Sequence, residues 1–204
     1  MNRKRILILA EGFEEKTYIE KIIKFPCISK NYEFSNVINV KGNGNILARY
    51  QYEFQTNRYD LVLVFADADK GSTQFISIIE GIGEKIFGDK KKGVLIFMFV
   101  NPVTMQVILS HLGDVELNHV SKNKNSETIR KLTGIDNYDA KEKQINELMQ
   151  KINSRNYQEM KRRIEKMSSD YRVVPSTNLL MFLKNFENDD TSWVDEINNQ
   201  IAFI

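Results

Sequence analysis

The sequence predicts an α/β protein in which a mainly parallel, four-stranded sheet is flanked by helices. Two apolar runs, at 6–10 and 61–66, are each followed by a helical hydrophobic period, and runs at 34–40 and 94–100 repeat this order. Runs of this length are typical of strands that are buried on both faces, as in parallel sheets. Four strand–helix alternations therefore favour an open sheet covered by helices.

The first two strand–helix units are separated by residues that interrupt regular structure. Apolar positions at 18–23 repeat with a helical period, and Pro26 closes that segment. The turn at 42–45 is rich in residues that tolerate positive φ. Asn45 then stands at the N-cap of a second predicted helix, at 46–54.

The third and fourth units follow the same order. The strand at 61–66 leads into a predicted helix at 72–86, which has an apolar inner stripe. The strand at 94–100 precedes Pro102, which suits the first position of a helix that runs to about Gly113.

From residue 126 onward only helical periods recur, so the sequence predicts no strand after Gly113. We therefore expect an α/β unit at 1–113 and a helical extension at 114–204, packed together as one compact body.

Composition limits the classes of protein that fit. The chain has 204 residues, is 42% hydrophobic and carries 29 Lys and Arg against 27 Asp and Glu, a formal charge of +2. A nucleic-acid partner must therefore be bound by local patches, because the overall charge is nearly balanced. Cys27, His111 and His119 are the only Cys and His residues, which excludes an internal disulfide and a zinc site built from Cys and His.

Location follows from the same features. A single cysteine suits a reducing cytoplasm. The longest apolar run, at 94–100, is far shorter than the roughly 20 residues of a membrane helix, so we expect no membrane partner.

Carboxylates follow two of the predicted strands. Glu11 comes directly after the first strand, and Asp67 and Asp69 come after the third. Ligands bind at the carboxyl ends of strands in open α/β sheets, so we expect these three side chains to meet around one divalent cation. Asp67 and Asp69 are the predicted core ligands of Mg²⁺, with Glu11 nearby and Mn²⁺ as a substitute ion.

Magnesium held by carboxylates indicates chemistry on phosphates, because the ion neutralises the charge that repels nucleophiles from a phosphodiester. Lys16, Lys41 and Lys70 are candidates for phosphate contacts by their position in the sequence. Each of them also fits the role of a plain surface lysine.

These motifs resemble the TOPRIM domain shared by topoisomerases, primases and the OLD-type and RloB-like nucleases. The family's glutamate motif is matched by Glu11, Gly12 and Glu15, and its Asp-x-Asp motif by Asp67 and Asp69. The resemblance implies that Glu11 acts as a general acid or base, and a role for Glu11 as a third metal ligand stays open. Acids in the first turn of a helix also favour the helix dipole, which is the alternative role of Glu15.

A third match points to the RloB-like subgroup, in which an Asn-Pro pair after the fourth strand precedes a Glu and a His. Here Asn101, Pro102 and His111 fit, but Met105 stands where that Glu is expected. The difference weakens a metal-ligand role for this helix. His111 has apolar neighbours, and a buried structural histidine is the alternative to a catalytic one. The segment at 175–178 resembles the Ser/Thr segment near the end of RloB-like chains.

The sequence therefore predicts a Mg²⁺-dependent nuclease that acts on DNA or RNA. Nucleotidyl transfer, as in primases, and a non-catalytic nucleic-acid-binding or regulatory module remain alternatives. The chain has no Gly-x-x-x-x-Gly-Lys-Ser/Thr motif, so the ATPase that OLD-type proteins fuse to this domain would be a separate subunit. By analogy, the resemblance implies a role in phage defence or in a mobile element, and a homodimer is left open.

Overall fold

A computed structural model describes residues 3–117 and 119–202. In these ranges, six strands form one mixed, mostly parallel sheet that is flanked by helices. The strands are β1 (Lys4–Ala10), β2 (Tyr32–Phe34), β3 (Ile38–Asn39), β4 (Leu61–Asp67), β5 (Phe97–Asn101) and β6 (Ser176–Thr177). The helices are α1 (Phe13–Ile22), α2 (Ile46–Gln55), α3 (Thr73–Phe87), α4 (Met105–Ser110), α5 (Lys122–Thr133), α6 (Glu142–Gln150), α7 (Ser154–Ile164), α8 (Leu179–Glu187) and α9 (Ser192–Ile201).

The sheet has the order β2-β1-β4-β5-β6, and β3 also pairs with β1. β1 lies parallel to β4 and β4 lies parallel to β5, as predicted. Every residue of β5, six of the seven residues of β4 and the last five residues of β1 are buried, as expected for strands that are nearly continuous apolar runs.

The prediction of four strands is wrong, and so is the prediction that no strand follows Gly113. β6 lies antiparallel to β5 and closes one edge of the sheet. Its two residues are too few to show a strand period. The edge strand β5 holds this segment in place by hydrogen bonds. Thr177 donates from Oγ1 to the carbonyl of Phe99 at 2.6 Å, and Asn178 donates to the carbonyl of Phe97 at 2.7 Å.

The predicted strand at 34–40 is two short strands, β2 and β3, which pair with different parts of β1. Asn45 precedes α2 as predicted, but its side chain makes no cap hydrogen bond to the helix. Its amide instead donates to the carbonyls of Val40 and Lys41, which closes the turn before a short 3-10 helix at Asn43–Asn45.

The fourth predicted strand begins late because Lys90–Ile96 forms a 3-10 helix against α3. A Cβ atom at Gly93 would overlap the carbonyl oxygen of Ile79, so only glycine allows this approach. The next helix, α4, begins at Met105 and not at Pro102. Residues 102–104 connect β5 to α4, and Thr104 in this connection reaches the carboxylate of Asp67.

The edge strand β2 is covered by α8 and α9. Trp193 donates from Nε1 to the hydroxyl of Tyr32 at 2.7 Å, and the rings of Tyr32, Phe34, Phe186 and Trp193 pack on one another. Tyr32 in turn donates to the carbonyl of Asn185 at 3.0 Å. Covering an edge strand in this way protects it from pairing with another chain.

None of the helices in the described ranges combines the length and apolarity needed to cross a bilayer.

Candidate active site

Four carboxyl side chains line one cavity at the carboxyl ends of β1 and β4. Glu11 follows β1, Asp67 ends β4, and Glu14 and Glu15 lie in the first turn of α1. The cavity has a volume of about 370 Å³. β1 and β4 are parallel neighbours, so the residues at their carboxyl ends lie at the same edge of the sheet.

Glu11 and Asp67 are joined directly. Oε2 of Glu11 accepts a hydrogen bond from the backbone N–H of Asp67 at 3.0 Å. The backbone N–H of Glu11 donates to the carbonyl of Phe65 at 2.9 Å, which continues the pairing of β1 with β4 beyond Ala10. The glutamate is therefore positioned by the sheet itself.

Thr104 holds the Asp67 carboxylate from the other side. Oδ1 of Asp67 accepts hydrogen bonds from both the backbone N–H and the hydroxyl of Thr104, each at 2.6 Å. Short bonds of this kind to a carboxylate are among the stronger hydrogen bonds in proteins. They also explain why the chain does not enter α4 at Pro102, since Thr104 must first reach Asp67.

The pKa of Asp67 is raised well above its ordinary value. Burial is the largest cause, the negative charges of Glu15, Glu11 and Glu14 add to it, and the bond from Thr104 opposes it. All three glutamates are therefore near enough to act on Asp67. A cation in the cavity would have the opposite effect on this pKa, because it would favour the ionised carboxylate.

Glu15 folds back over Gly12, which begins the turn between β1 and α1. A Cβ atom at Gly12 would lie 2.7 Å from Oε2 of Glu15. Gly12 has an extended backbone (φ −136°), which any residue adopts, and a Cβ atom there would meet only the carboxyl end of the Glu15 side chain. Glu14 and Glu15 are each only 6% exposed. Burial sets them apart from the exposed acids that commonly favour a helix dipole.

Tyr138 brings the helical extension to these acids, and sequence reasoning missed it. Its hydroxyl donates to Oε2 of Glu14 at 2.5 Å, and the side chain is 1% exposed. Burial and the charge of Glu14 raise the pKa of Tyr138, so its proton stays on the phenol. Tyr138 lies in the loop between α5 and α6, where no periodic pattern marks it.

Asp69, predicted as a core ligand together with Asp67, is not among the described residues that line this cavity. The chain turns sharply after Ala68, and Asp69 and Lys70 both have positive φ, 46° and 62°. Burial raises the pKa of Asp69. The N-cap of α3 is Ser72, which accepts from the N–H of Phe75 at 3.1 Å. The structure thus brings Glu11 to Asp67, and it places Asp69 in the positive-φ turn that follows β4. A role for Asp69 as a metal ligand stays a prediction.

Asn101 stabilises this turn from within the fold. Its side chain accepts from the backbone N–H of Lys70 at 2.8 Å and donates to the carbonyls of Tyr171 and Val173 at 2.7 and 2.8 Å. Asn101 is fully buried, so its amide holds two loops together and does not face the cavity.

His111 lies in a separate buried cluster between α1, α4 and α7. Asn156 accepts from the N–H of Asn153 at 2.9 Å and donates to the carbonyl of Lys151 at 2.7 Å, which identifies its oxygen as the atom 3.2 Å from Nδ1 of His111. Nδ1 therefore carries the proton, and Nε2 accepts from the hydroxyl of Tyr18 at 3.0 Å. Burial lowers the pKa of His111 to about 4. The arrangement is that of a structural histidine.

Of the three lysines predicted to contact phosphate, Lys41 lines the cavity. Lys16 forms an ion pair with Glu20 at 2.7 Å, and Lys70 is exposed at the turn after Asp69. Met105, at the position where RloB-like proteins carry a Glu, also lines the cavity. A glutamate at this position would thus add a carboxylate to the same acidic space.

Among residues 3–117 and 119–202, no group of three or more His, Cys, Asp or Glu side chains is arranged to hold a metal ion. The donors in the cavity are nevertheless carboxylates, the hard oxygen ligands that suit Mg²⁺, and Mg²⁺ usually binds through one or two of them and keeps several waters. Glu11 and Asp67 fit that requirement. Comparisons with protein-family models, with curated proteins and with solved structures found no match.

Proposed function

We propose that this protein is a Mg²⁺-dependent enzyme that cleaves phosphodiester bonds in nucleic acid. The observation that carries the proposal is the cavity in which Glu11 is bonded to Asp67 and in which Glu14 and Glu15 add negative charge. Four carboxyl groups near one another are unfavourable unless protons or cations compensate their charge. A divalent cation is the compensating partner that also has a use in phosphate chemistry.

Glu11 and Asp67 are the proposed magnesium ligands, with waters in the remaining positions. Both hydrogen bonds that Thr104 makes to Asp67 fall on Oδ1, so Oδ2 is the oxygen proposed to bind the ion. When bound, the ion would neutralise the charge of the phosphate and activate water or stabilise the leaving oxygen.

The protein's own side chains have separable tasks around this pair. Thr104 fixes the orientation of Asp67, and Tyr138 fixes that of Glu14. Glu11, held against the backbone of β4, is the second proposed ligand, and its resemblance to the TOPRIM glutamate implies the role of general acid or base as the alternative to metal binding. Lys41, on the cavity lining, is the proposed phosphate contact.

The resemblance of the two acidic motifs to TOPRIM nucleases of the RloB-like and OLD types supports cleavage over the other phosphate reactions. The same resemblance suggests a role in phage defence or in a mobile element, together with a separate ATPase subunit, and the single cysteine suits a cytoplasmic location. Met105 favours the second candidate, a nucleic-acid-binding module without turnover, because an apolar side chain replaces one acid of the RloB-like pattern.

An assay with labelled single- and double-stranded DNA and RNA, in Mg²⁺, in Mn²⁺ and in EDTA, tests the proposal. Asp67→Asn keeps the acceptor for Thr104 but removes the charge. Asp136→Asn is the matched control, because Asp136 is an exposed aspartate outside the cavity. Metal-dependent fragments from the wild-type protein and from Asp136→Asn, but not from Asp67→Asn, would support the nuclease.

Other outcomes select the alternatives. Binding of nucleic acid without fragments in either metal would favour the non-catalytic module. Extension of a primer with added nucleotides would favour nucleotidyl transfer. Cleavage that persists unchanged in Asp67→Asn would contradict the proposed site.

A further inference from the structure

The acidic cavity has a second, apolar side. Six of its lining residues are hydrophobic, and they come from α1, from the start of α4, from α5 and α6 and from the loop between those two helices: Phe13, Val103, Met105, Ile129, Ala140 and Ile145. Four carboxylates alone would account for a cation. They do not account for an apolar surface beside it.

The helical extension encloses this apolar side. Ile129 and Ile145 are buried on α5 and α6, and Tyr138 and Ala140 lie on the loop that joins these helices. Gln144 fastens the loop, since its side chain donates to the carbonyls of Asp136 and Asn137 and accepts from the N–H of Asp139. The apolar wall is therefore a built part of the fold, connected to the acids through the bond from Tyr138 to Glu14.

We propose that the cavity takes one unpaired nucleotide, with its phosphate at the acidic side and its base against the apolar wall. The assignment rests on the proposed phosphodiester chemistry, which requires a phosphate next to Glu11 and Asp67. A volume of about 370 Å³ is in the range of small-ligand pockets and leaves no room for a duplex.

The state of the base follows from this size. A base inside a duplex is paired and stacked. It therefore reaches a pocket of this size only when it is unpaired, at a strand end, in a loop or after extrusion from the helix. Contact between a base and an apolar or aromatic wall is tolerant of sequence, because every base has a flat apolar face. The substrate class is therefore nucleic acid with unpaired nucleotides, of any base sequence.

Calorimetric titration in Mg²⁺ tests the base contact without requiring turnover. The probes are a deoxynucleoside 5′-monophosphate, deoxyribose 5-phosphate and inorganic phosphate. We expect the nucleotide to bind at least about fivefold more tightly than deoxyribose 5-phosphate, the smallest effect typical of one stacked base. Equal affinity for the two would overturn the proposal.

Ala140→Leu fills the apolar side and leaves all four acids in place. Ala140 already has a positive φ of 49°, and leucine, like alanine, has a Cβ atom and no branch at it, so we expect the loop to keep its conformation. Asp139→Leu adds the same side chain at the adjacent exposed position, whose hydrogen bond to Gln144 uses the backbone N–H. We expect Ala140→Leu, but not Asp139→Leu, to lose at least about fivefold in nucleotide affinity while both retain wild-type binding of Mn²⁺.

Failure of this inference and failure of the proposed function give different results. If metal-dependent cleavage occurs but nucleotide affinity is independent of the base or undiminished in Ala140→Leu, the nucleotide pocket is wrong and the nuclease stands. If the base-dependent binding is found and Ala140→Leu removes it, but no cleavage occurs, the pocket stands and the nuclease is wrong.

Discussion

The side chain of Glu11 accepts a hydrogen bond from the backbone of Asp67 across the β1–β4 pair, at 3.0 Å. This bond joins a glutamate and an aspartate that are 56 positions apart in the sequence, and both line one cavity. The contact is between a side chain and the backbone, so it fixes Glu11 without neutralising either carboxyl group. The negative charges of Glu15, Glu11 and Glu14 therefore still act on Asp67.

Asp67→Asn should stabilise the metal-free protein at neutral pH. The pKa of Asp67 is raised in the folded state. Between the ordinary aspartate pKa and this raised pKa, the folded protein therefore binds more protons than the unfolded chain. Because of this difference, the free energy of unfolding falls as pH rises through the folded pKa. Asparagine removes that cost and can still accept both bonds from Thr104. We expect a rise in Tm of about 2–4 °C at pH 7.5, the shift that about 1 kcal/mol produces in a chain of this size.

Magnesium should reverse the order of stabilities. A cation bound by Asp67 stabilises the folded wild-type protein by mass action, whereas Asp67→Asn lacks the charge that binds it. Thermal unfolding with increasing Mg²⁺ should therefore raise the Tm of the wild-type protein and of Asp136→Asn, and leave that of Asp67→Asn unchanged. A wild-type Tm that does not respond to Mg²⁺ or Mn²⁺ would contradict a metal role for this pair.

The hydroxyl of Thr104 should matter separately from its backbone. Thr104→Val removes the donor to Oδ1 of Asp67 and keeps the shape of the buried side chain, while the bond from the backbone N–H remains. A lost hydrogen bond to a charged group typically costs about 1.5–3 kcal/mol. We expect reduced affinity for Mn²⁺, measured by calorimetry, and a lower rate of cleavage. Thr104→Ser restores the donor and should recover most of both, which a role in packing alone would not explain.

The sequence predicts those parts of the site that follow from local patterns, and it does not predict the contacts between segments that are distant in the chain. Glu11 and Asp67 each directly end an apolar run, so their shared edge follows from the parallel sheet. Asp69 is only two residues further, but two consecutive positive-φ residues turn the chain there, and no turn signature before Gly71 indicates this. The Asp-x-Asp spacing alone therefore does not predict the backbone conformation of the second aspartate.

The remaining features depend on packing between distant segments. Tyr138 reaches Glu14 across 124 positions, and Thr104 reaches Asp67 across 37. A single polar residue in a loop belongs to no periodic sequence pattern, so its partner cannot be inferred from the sequence. β6 escapes prediction for a related reason, because two residues acquire strand conformation only when the edge of β5 is present. The local patterns predicted the α/β class and the mostly parallel sheet, and the tertiary contacts complete the site.

His111 should make stability fall in acid. Its folded pKa of about 4 lies below the ordinary value of 6.5, so the unfolded chain binds more protons between these values. The contribution is fully present above about pH 6.5 and is lost as pH falls toward 4, by about 3 kcal/mol over that window. Denaturant unfolding at several pH values should show this loss relative to His111→Gln.

The same variant separates structure from catalysis. His111 lies in the cluster with Tyr18 and Asn156 and does not line the acidic cavity. We expect His111→Gln to be less stable at pH 7.5 but to cleave, per folded molecule, at the wild-type rate. Loss of turnover at full folding would instead identify His111 as a catalytic residue, in line with the alternative that its sequence position left open.

Met105→Glu should add a ligand to the cavity. Met105 is 4% exposed and lines the same space as Glu11 and Asp67, at the position where the RloB-like pattern has a glutamate. A fifth carboxylate raises the repulsion in the metal-free state, so we expect a lower Tm without metal and a larger rise of Tm with Mn²⁺ than in the wild-type protein. Met105→Gln has nearly the same shape without the charge and should lower the Tm without gaining metal affinity. If Met105→Glu binds Mn²⁺ no more tightly than Met105→Gln, the side chain at the start of α4 does not reach the cation. The proposed magnesium site would then not include this helix.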